Sequence, residues 1–168
     1  MATEAEQAIV AHLTRRPRAD PDTIEFQKVR LLATCEMHQV AFTNHREYRM
    51  EYIIRTWRTP GGTWVVAPIG GGSRGPSRRQ EPWVNFTAGW GDDGFTAGGR
   101  VEGIGSEQSH LVRLTFADGL ILTDTVDDGI VLFFEPRAVS FPADVQIEDV
   151  QASLIASYKE FDQFPFFS

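Results

Sequence analysis

Residues 110–134 read HLVRLTF (110–116), ADG (117–119), LILTDTV (120–126), DDG (127–129) and IVLFF (130–134). Three short runs of β-branched, aliphatic and aromatic residues are separated by two turn signals, Asp118-Gly119 and Asp128-Gly129. Side chains alternate sides along an extended chain, so Val112, Leu114 and Phe116 share one face. An Asp-Gly pair tolerates the positive φ that a tight hairpin turn needs. The stretch predicts consecutive antiparallel hairpins and sets the class of the chain as mainly β.

The same pattern extends outward. Downstream, Val145–Glu148 and Leu154–Tyr158 flank Asp149-Val150-Gln151-Ala152 as a further hairpin, and upstream Trp83–Phe86 and Phe95–Gly103 read as strands. The clearest alternation is Tyr48 to Trp57, with Tyr48, Met50, Tyr52 and Ile54 on one face and Arg49, Glu51, Ile53, Arg55 and Trp57 on the other. Pro60-Gly61-Gly62 turns it back into Thr63–Val66, and Asn44-His45-Arg46 joins it to Gln39–Thr43. Before these strands, residues 3–14 predict a helix. Thr3 and Glu6 have capping-box spacing, and Ala5, Ile9 and Leu13 form one apolar stripe. The expected fold is an antiparallel β-sandwich or partly open barrel with a short N-terminal helix. It is read as one β-rich domain over 1–168, with a helical arm (1–22), a Gly/Arg-rich loop (68–82) and an aromatic C-terminal tail (161–168).

A chain of 168 residues buries roughly 70% of the surface its unfolded form exposes, so its core needs no metal or disulfide. No cofactor is expected. The formal net charge of −7 disfavours nucleic acid and anionic lipid as general partners. Two local basic clusters run against that balance: Arg15, Arg16 and Arg18, and Arg74, Arg78 and Arg79. Cys35 is the only cysteine, so no internal disulfide forms. Met1 to Thr14 shows no export-signal pattern, and no apolar run approaches the ~20 residues of a membrane span. A cytoplasmic setting is expected.

Several residue groups were weighed for chemistry. Asp118, Asp124, Asp127 and Asp128 carry oxygen ligands, but their spacing fits no calcium loop, and turn capping accounts for them. Gly70 to Arg79 lacks the Gly-Lys-Ser/Thr ending of a phosphate-binding loop. Cys35 with His38 or His45 is the one Cys/His pairing, but three residues along a strand point Cys35 and His38 to opposite faces. No nucleophile–base–orienting set emerges, so no catalytic or metal residue is assigned and an enzyme is not the expected reading.

The leading expectation is a binding or assembly module acting through protein–protein contacts or self-association. The apolar tail, with Phe161, Phe164, Phe166 and Phe167, would supply the partner-binding residues. The alternative is a small-molecule-binding protein or enzyme whose pocket lies in the 35–52 meander, lined by Glu36, His38, His45 and Tyr52. A further alternative is carbohydrate binding through exposed tryptophan, with Trp90 and Trp83 as the platform.

Overall fold

The computed structural model describes residues 1–16, 18–73, 79–92 and 94–162. Among these, 55% of the chain lies in strands, arranged as eleven strands in three antiparallel sheets with one N-terminal helix and no closed barrel. The chain divides into two compact units, Met1–Pro76 and Ser77–Ser168.

In the first unit, α1 (Glu4–Arg15) covers a four-stranded meander of β1 (Glu25–Leu31), β2 (Glu36–Thr43), β3 (Arg49–Arg58) and β4 (Trp64–Ser73), in that order. The capping box forms as the sequence predicts: Thr3 Oγ1 accepts from the Glu6 N–H at 3.1 Å, and the Thr3 N–H donates to Glu6 Oε2 at 2.7 Å. Ala5, Ile9 and Leu13 are buried. Ile9 and Leu13 pack with Val40, Phe42 and Ile54, and Met50, Tyr52 and Val66 border this core. Met50, Tyr52 and Ile54 of the Tyr48–Ile54 alternation therefore face this core, whereas Tyr48 lies outside β3 and is exposed.

Two elements differ from the sequence expectation. The run 23–36 divides into β1 and the start of β2, with the Leu32 N–H donating to the Cys35 carbonyl at 2.9 Å across the turn. That turn contains neither Gly nor Pro, so composition gave no sign of it. Residues 68–73, expected within a loop, continue β4 and pair with β3 as far as Met50↔Ser73. Gly and Pro ordinarily break a strand, but an edge strand tolerates both at a bulge, and the register shifts here between Ile53 and Ile54. Gly71 lies opposite Tyr52, and a Cβ added at Gly71 would collide with the Tyr52 ring and the Glu51 carbonyl. The ring covers the place a side chain would take. Of the rest of the expected loop, residues 79–82 lie in neither helix nor strand, and 74–78 lie outside the described residues.

The second unit is a sandwich of two sheets. One runs β11 (Leu154–Glu160), β10 (Ala143–Glu148), β7 (Leu111–Phe116), β8 (Ile121–Thr125); the other runs β5 (Trp83–Gly91), β6 (Gly94–Glu102), β9 (Ile130–Glu135). Val112, Leu114, Phe116, Val145 and Ile147 from the first meet Val84, Phe95, Ala97, Val131 and Phe133 from the second in one core. Both Asp-Gly turns form: Asp128 and Gly129 take φ of 49° and 74°, and Gly119 takes 87°. Phe161, expected among the partner-binding residues, instead fills this core. It is 5% exposed and its ring lies 5.4 Å from Phe86, 5.7 Å from Phe95 and 5.7 Å from Phe141. A phenylalanine next to an apolar core gains more from burial than from waiting on a partner. Phe164, Phe166 and Phe167 lie outside the described residues.

Side chains close both lateral seams of the sandwich. The Val101 N–H donates to the Gly129 carbonyl at 2.7 Å. Bonding alternates along antiparallel pairs, so Val84, opposite Val101, and Leu132, opposite Gly98, turn their N–H groups outward from their sheet. The Tyr158 hydroxyl on β11 accepts the Val84 N–H at 2.7 Å, and Asp124 Oδ2 on β8 accepts the Leu132 N–H at 2.7 Å.

Replacing Tyr158 by Phe strands a buried N–H, which costs ~1–3 kcal/mol; a denaturant midpoint within error of the parent would contradict this role. Burial pushes the Tyr158 phenol up to about 12, with the Val84 hydrogen bond opposing the shift. The folded state then holds its proton more tightly than the unfolded chain, whose tyrosine titrates near 10. Stability should fall between pH 10 and about 12, by at most ~1.4 kcal/mol per pH unit, and this slope should be smaller in Tyr158→Phe. Gly71→Ala should lower stability by ~1–3 kcal/mol, the usual cost of overpacking, as read by thermal unfolding.

Candidate functional site

The meander residues singled out from sequence do not form one pocket. Glu36 and His38 do come together on β2: His38 Nε2 lies 3.2 Å from Glu36 Oε2. They share a face because they are two residues apart. Thr56, which the sequence reading missed, sits opposite Glu36 on β3 and places its hydroxyl 3.4 Å from the same His38 nitrogen. His38 is 1% exposed and its Nδ1 has no hydrogen-bond partner. Its ring meets Phe26 edge-on at 5.9 Å. Tyr52 turns to the helix-side core, with its ring 5.1 Å from Phe42. His45 is exposed in the β2–β3 turn, beyond the far end of β2 from Glu36. Trp90 belongs to the second unit.

A depression of about 300 Å3 borders this pair, lined in part by Cys35, Glu36, Thr56, Arg58 and Trp64. Two groups at or beside it, Cys35 and His38, are shifted toward their neutral forms. Burial pushes the Cys35 thiol up, against the lowering effect of Arg55, so little thiolate is present to act as a nucleophile. Burial likewise pushes the His38 imidazole down, opposed by the Glu36 carboxylate. A neutral imidazole in this position donates one N–H to Glu36 and orders the start of β2.

Trp64 also lines a larger groove of about 510 Å3 between α1 and β4. Its floor is Ala8, Ala11, Val66 and the Trp64 indole; its rim is His12, Arg15 and Arg16. The helix forms the groove because its buried stripe, Ala5, Ile9 and Leu13, leaves the neighbouring stripe of Ala8, Ala11 and Arg15 facing sideways along β4. Small residues there keep the space open. Trp64 is pinned in place: its Nε1 donates to Glu4 Oε2 at 3.2 Å, Arg58 pairs with the same carboxylate, and the Arg58 guanidinium lies 5.3 Å from the indole centroid. Arg15 and Arg16 are exposed and, among the described residues, have no acidic partner. The sequence carried two of these signals, the Arg15-Arg16 pair and Trp64, but nothing in it joined them.

In the second unit, Trp83 and Trp90 stand seven residues apart on β5, about 23 Å at strand rise and on opposite faces. They cannot form one coplanar platform. Trp90 is 40% exposed and rests edge-on against Phe141 at 5.3 Å. Arg79 covers Trp83 at 4.0 Å, beside a depression of about 350 Å3 whose Tyr158 already serves the seam. The acidic residues are likewise engaged: Asp118 Oδ1 accepts from the Leu120 N–H at 3.0 Å, Asp124 closes the other seam, and Asp127 and Asp128 build a hairpin turn. Among the described residues no three metal-binding side chains converge, and no helix is long and apolar enough to cross a membrane.

Comparison with known proteins brings no match: no family model, no curated protein and no solved structure is significantly similar to this chain.

The His38 imidazole should titrate below 6.5. Because the unfolded chain then binds the proton more readily, stability is complete above pH 6.5 and declines as pH falls toward the folded value. An NMR titration that put the His38 pKa above 6.5 would contradict the buried, neutral assignment.

Proposed function

We propose that this chain is a non-enzymatic binding module acting through protein–protein contacts, and that the groove between α1 and β4 seats the partner. The observation that carries the reading is the groove's composition. A chain of net charge −7 keeps two arginines, unpaired among the described residues, on the rim of a depression of about 510 Å3, over an apolar floor with a fixed tryptophan. Aromatic and arginine side chains are the residues most often found at the energetic centre of protein interfaces. Charge of one sign around an apolar cleft selects a partner of the opposite sign and speeds its arrival. A cytoplasmic setting belongs to this reading, since Cys35 has no partner for an internal disulfide.

A second reading, a small-ligand or catalytic site beside Glu36 and His38, draws on their 3.2 Å contact and the neighbouring depression. The neutral thiol and the buried imidazole weigh against nucleophilic chemistry there. Rapid alkylation of Cys35 at neutral pH would favour it.

Selection of a random-peptide display library on the full chain tests the main reading. Acidic peptides should be enriched, and their affinity should drop about tenfold or more in Arg15→Glu/Arg16→Glu, since each buried or rim charge reversal turns attraction into repulsion. No enrichment, or equal binding by the double variant, would remove the case for this groove.

A further inference from the structure

We infer that the groove takes its partner as an extended acidic segment that adds to β4 as a fifth strand of the first unit's sheet. The inference rests on the groove being the binding site and goes further in naming the form and chemistry of what binds. It follows from the hydrogen-bonding phase of the β3–β4 hairpin.

The Thr59 N–H donates to the Thr63 carbonyl at 2.9 Å, which makes Thr59 and Thr63 a bonded pair. Beyond it the register is Arg58↔Trp64, Trp57↔Val65, Thr56↔Val66, Arg55↔Ala67 and Ile54↔Pro68. Bonded and non-bonded pairs alternate. Trp64, Val66 and Pro68 therefore fall in non-bonded pairs and turn their backbone N and O away from β3. Pro68 fits this phase, since a proline has no N–H to give and belongs at an outward position of an edge strand. Among the described residues β4 pairs with no other strand.

Trp64 and Val66 are thus both the residues whose side chains line the groove and the residues whose peptide groups face outward beside it. Two such residues offer two donors and two acceptors to an added strand. Pro68 offers an acceptor but no donor, and the bulge beyond it breaks the row. From Ala8 to Arg15 the helix rises ~10 Å, the length of about three strand residues. A segment of four or five residues along β4 would place alternate side chains over the Ala8–Ala11–Val66 floor. Its carboxylates would reach Arg15 and Arg16, with His12 beside them on the rim.

The charge also argues against the simplest other occupant, a second copy of this chain. Pairing β4 with β4 would bring two Arg15-Arg16 pairs to one interface, and like charges oppose that contact. Glu4, the acidic residue nearest Trp64, is already matched by Arg58 and the indole N–H. Main-chain bonds supply affinity in this binding mode and alternate side chains supply selectivity.

The test uses the full chain and four synthetic, N-acetylated octapeptides followed by fluorescence polarisation: alternating Glu and Val; the same peptide N-methylated at every second residue, in each of the two phases; and alternating Lys and Val. The Glu/Val peptide should bind. One N-methylated phase should lose about tenfold or more, because it keeps every side chain but cannot donate to β4. The Lys/Val peptide should not bind. On binding, amide exchange at Trp64 and Val66 should slow, while Val65 and Ala67 change little. Val66→Pro removes an outward N–H of β4 and should also weaken binding; the modified peptides test the reciprocal bonds, peptide N–H to β4 carbonyl, in the unaltered protein, whether or not this variant folds.

If both N-methylated phases bind as well as the parent peptide while Arg15→Glu/Arg16→Glu abolishes binding, strand addition is wrong and the groove stands as an acidic-peptide site. Equal binding of the Lys/Val peptide, no binding of the Glu/Val peptide, or a peptide-free dimer dissolved by Val66→Pro would each overturn the inference. Loss of all peptide binding, library-selected sequences included, would overturn the proposed function with it.

Discussion

An edge strand turns every second N–H away from its sheet, and each of those groups needs an acceptor or water. The whole structure can be ordered by how it meets that constraint. In the second unit the sandwich would leave β5 and β9 with inward-tucked but unbonded donors. Tyr158 reaches across from β11 to Val84, and Asp124 reaches across from β8 to Leu132, both at 2.7 Å. Each bond joins the two sheets as well as satisfying a donor. A buried N–H without an acceptor costs ~1–3 kcal/mol, so these contacts hold the sheets in one register rather than letting them slide. The first unit treats its β4 edge differently. Among the described residues no side chain caps the Trp64 or Val66 backbone there; Pro68 removes one donor and a helix flank stands alongside.

This difference explains where the candidate site lies. In the second unit's depression of about 350 Å3, Tyr158 is engaged in the closed seam and Arg79 is stacked on Trp83. The β4 edge keeps its polarity toward the groove, and among the described residues Arg15 and Arg16 have no acidic partner. In the Glu36–His38–Thr56 cluster on the same sheet, Glu36 and Thr56 both face His38 Nε2, burial holds the imidazole neutral, and only the buried His38 Nδ1 is left without a hydrogen-bond partner. Polar residues brought together by folding are not thereby a site. The question is whether any of them is left with capacity to bind something else.

Legibility in the sequence followed the range of the interaction. The capping box at Thr3 and Glu6, the Asp-Gly hairpins and the Tyr48–Ile54 alternation are local patterns, and each appears in the structure. The Leu32–Cys35 turn was hidden because its residues carry no turn preference. The strand at 68–73 was hidden because its glycines are sheltered by Tyr52, a cross-strand contact that composition does not contain. Phe161 had a strong apolar signal, yet whether it seeks a partner or its own core depends on Phe86, Phe95 and Phe141, twenty to seventy-five residues away in the chain. Asp124 looked like its acidic neighbours and differs from them only by facing Leu132.

The groove was the least legible feature, because its parts lie about fifty residues apart and none is unusual alone. Ala8 and Ala11 read as ordinary helix formers, and Val66 as an ordinary strand residue. What makes them a site is phase. Ile9 and Leu13 fix the helix's rotation, and that rotation decides that small residues rather than large ones flank β4. Gly62, at φ 83°, fixes the hairpin's length, and that length decides that Trp64 and Val66, not Val65 and Ala67, present their backbone outward. Insertion of one residue in the 60–62 turn would shift the β4 pairing by one position and exchange those roles. The candidate function thus depends on two periodicities, 3.6 and 2, meeting in the right phase at Trp64.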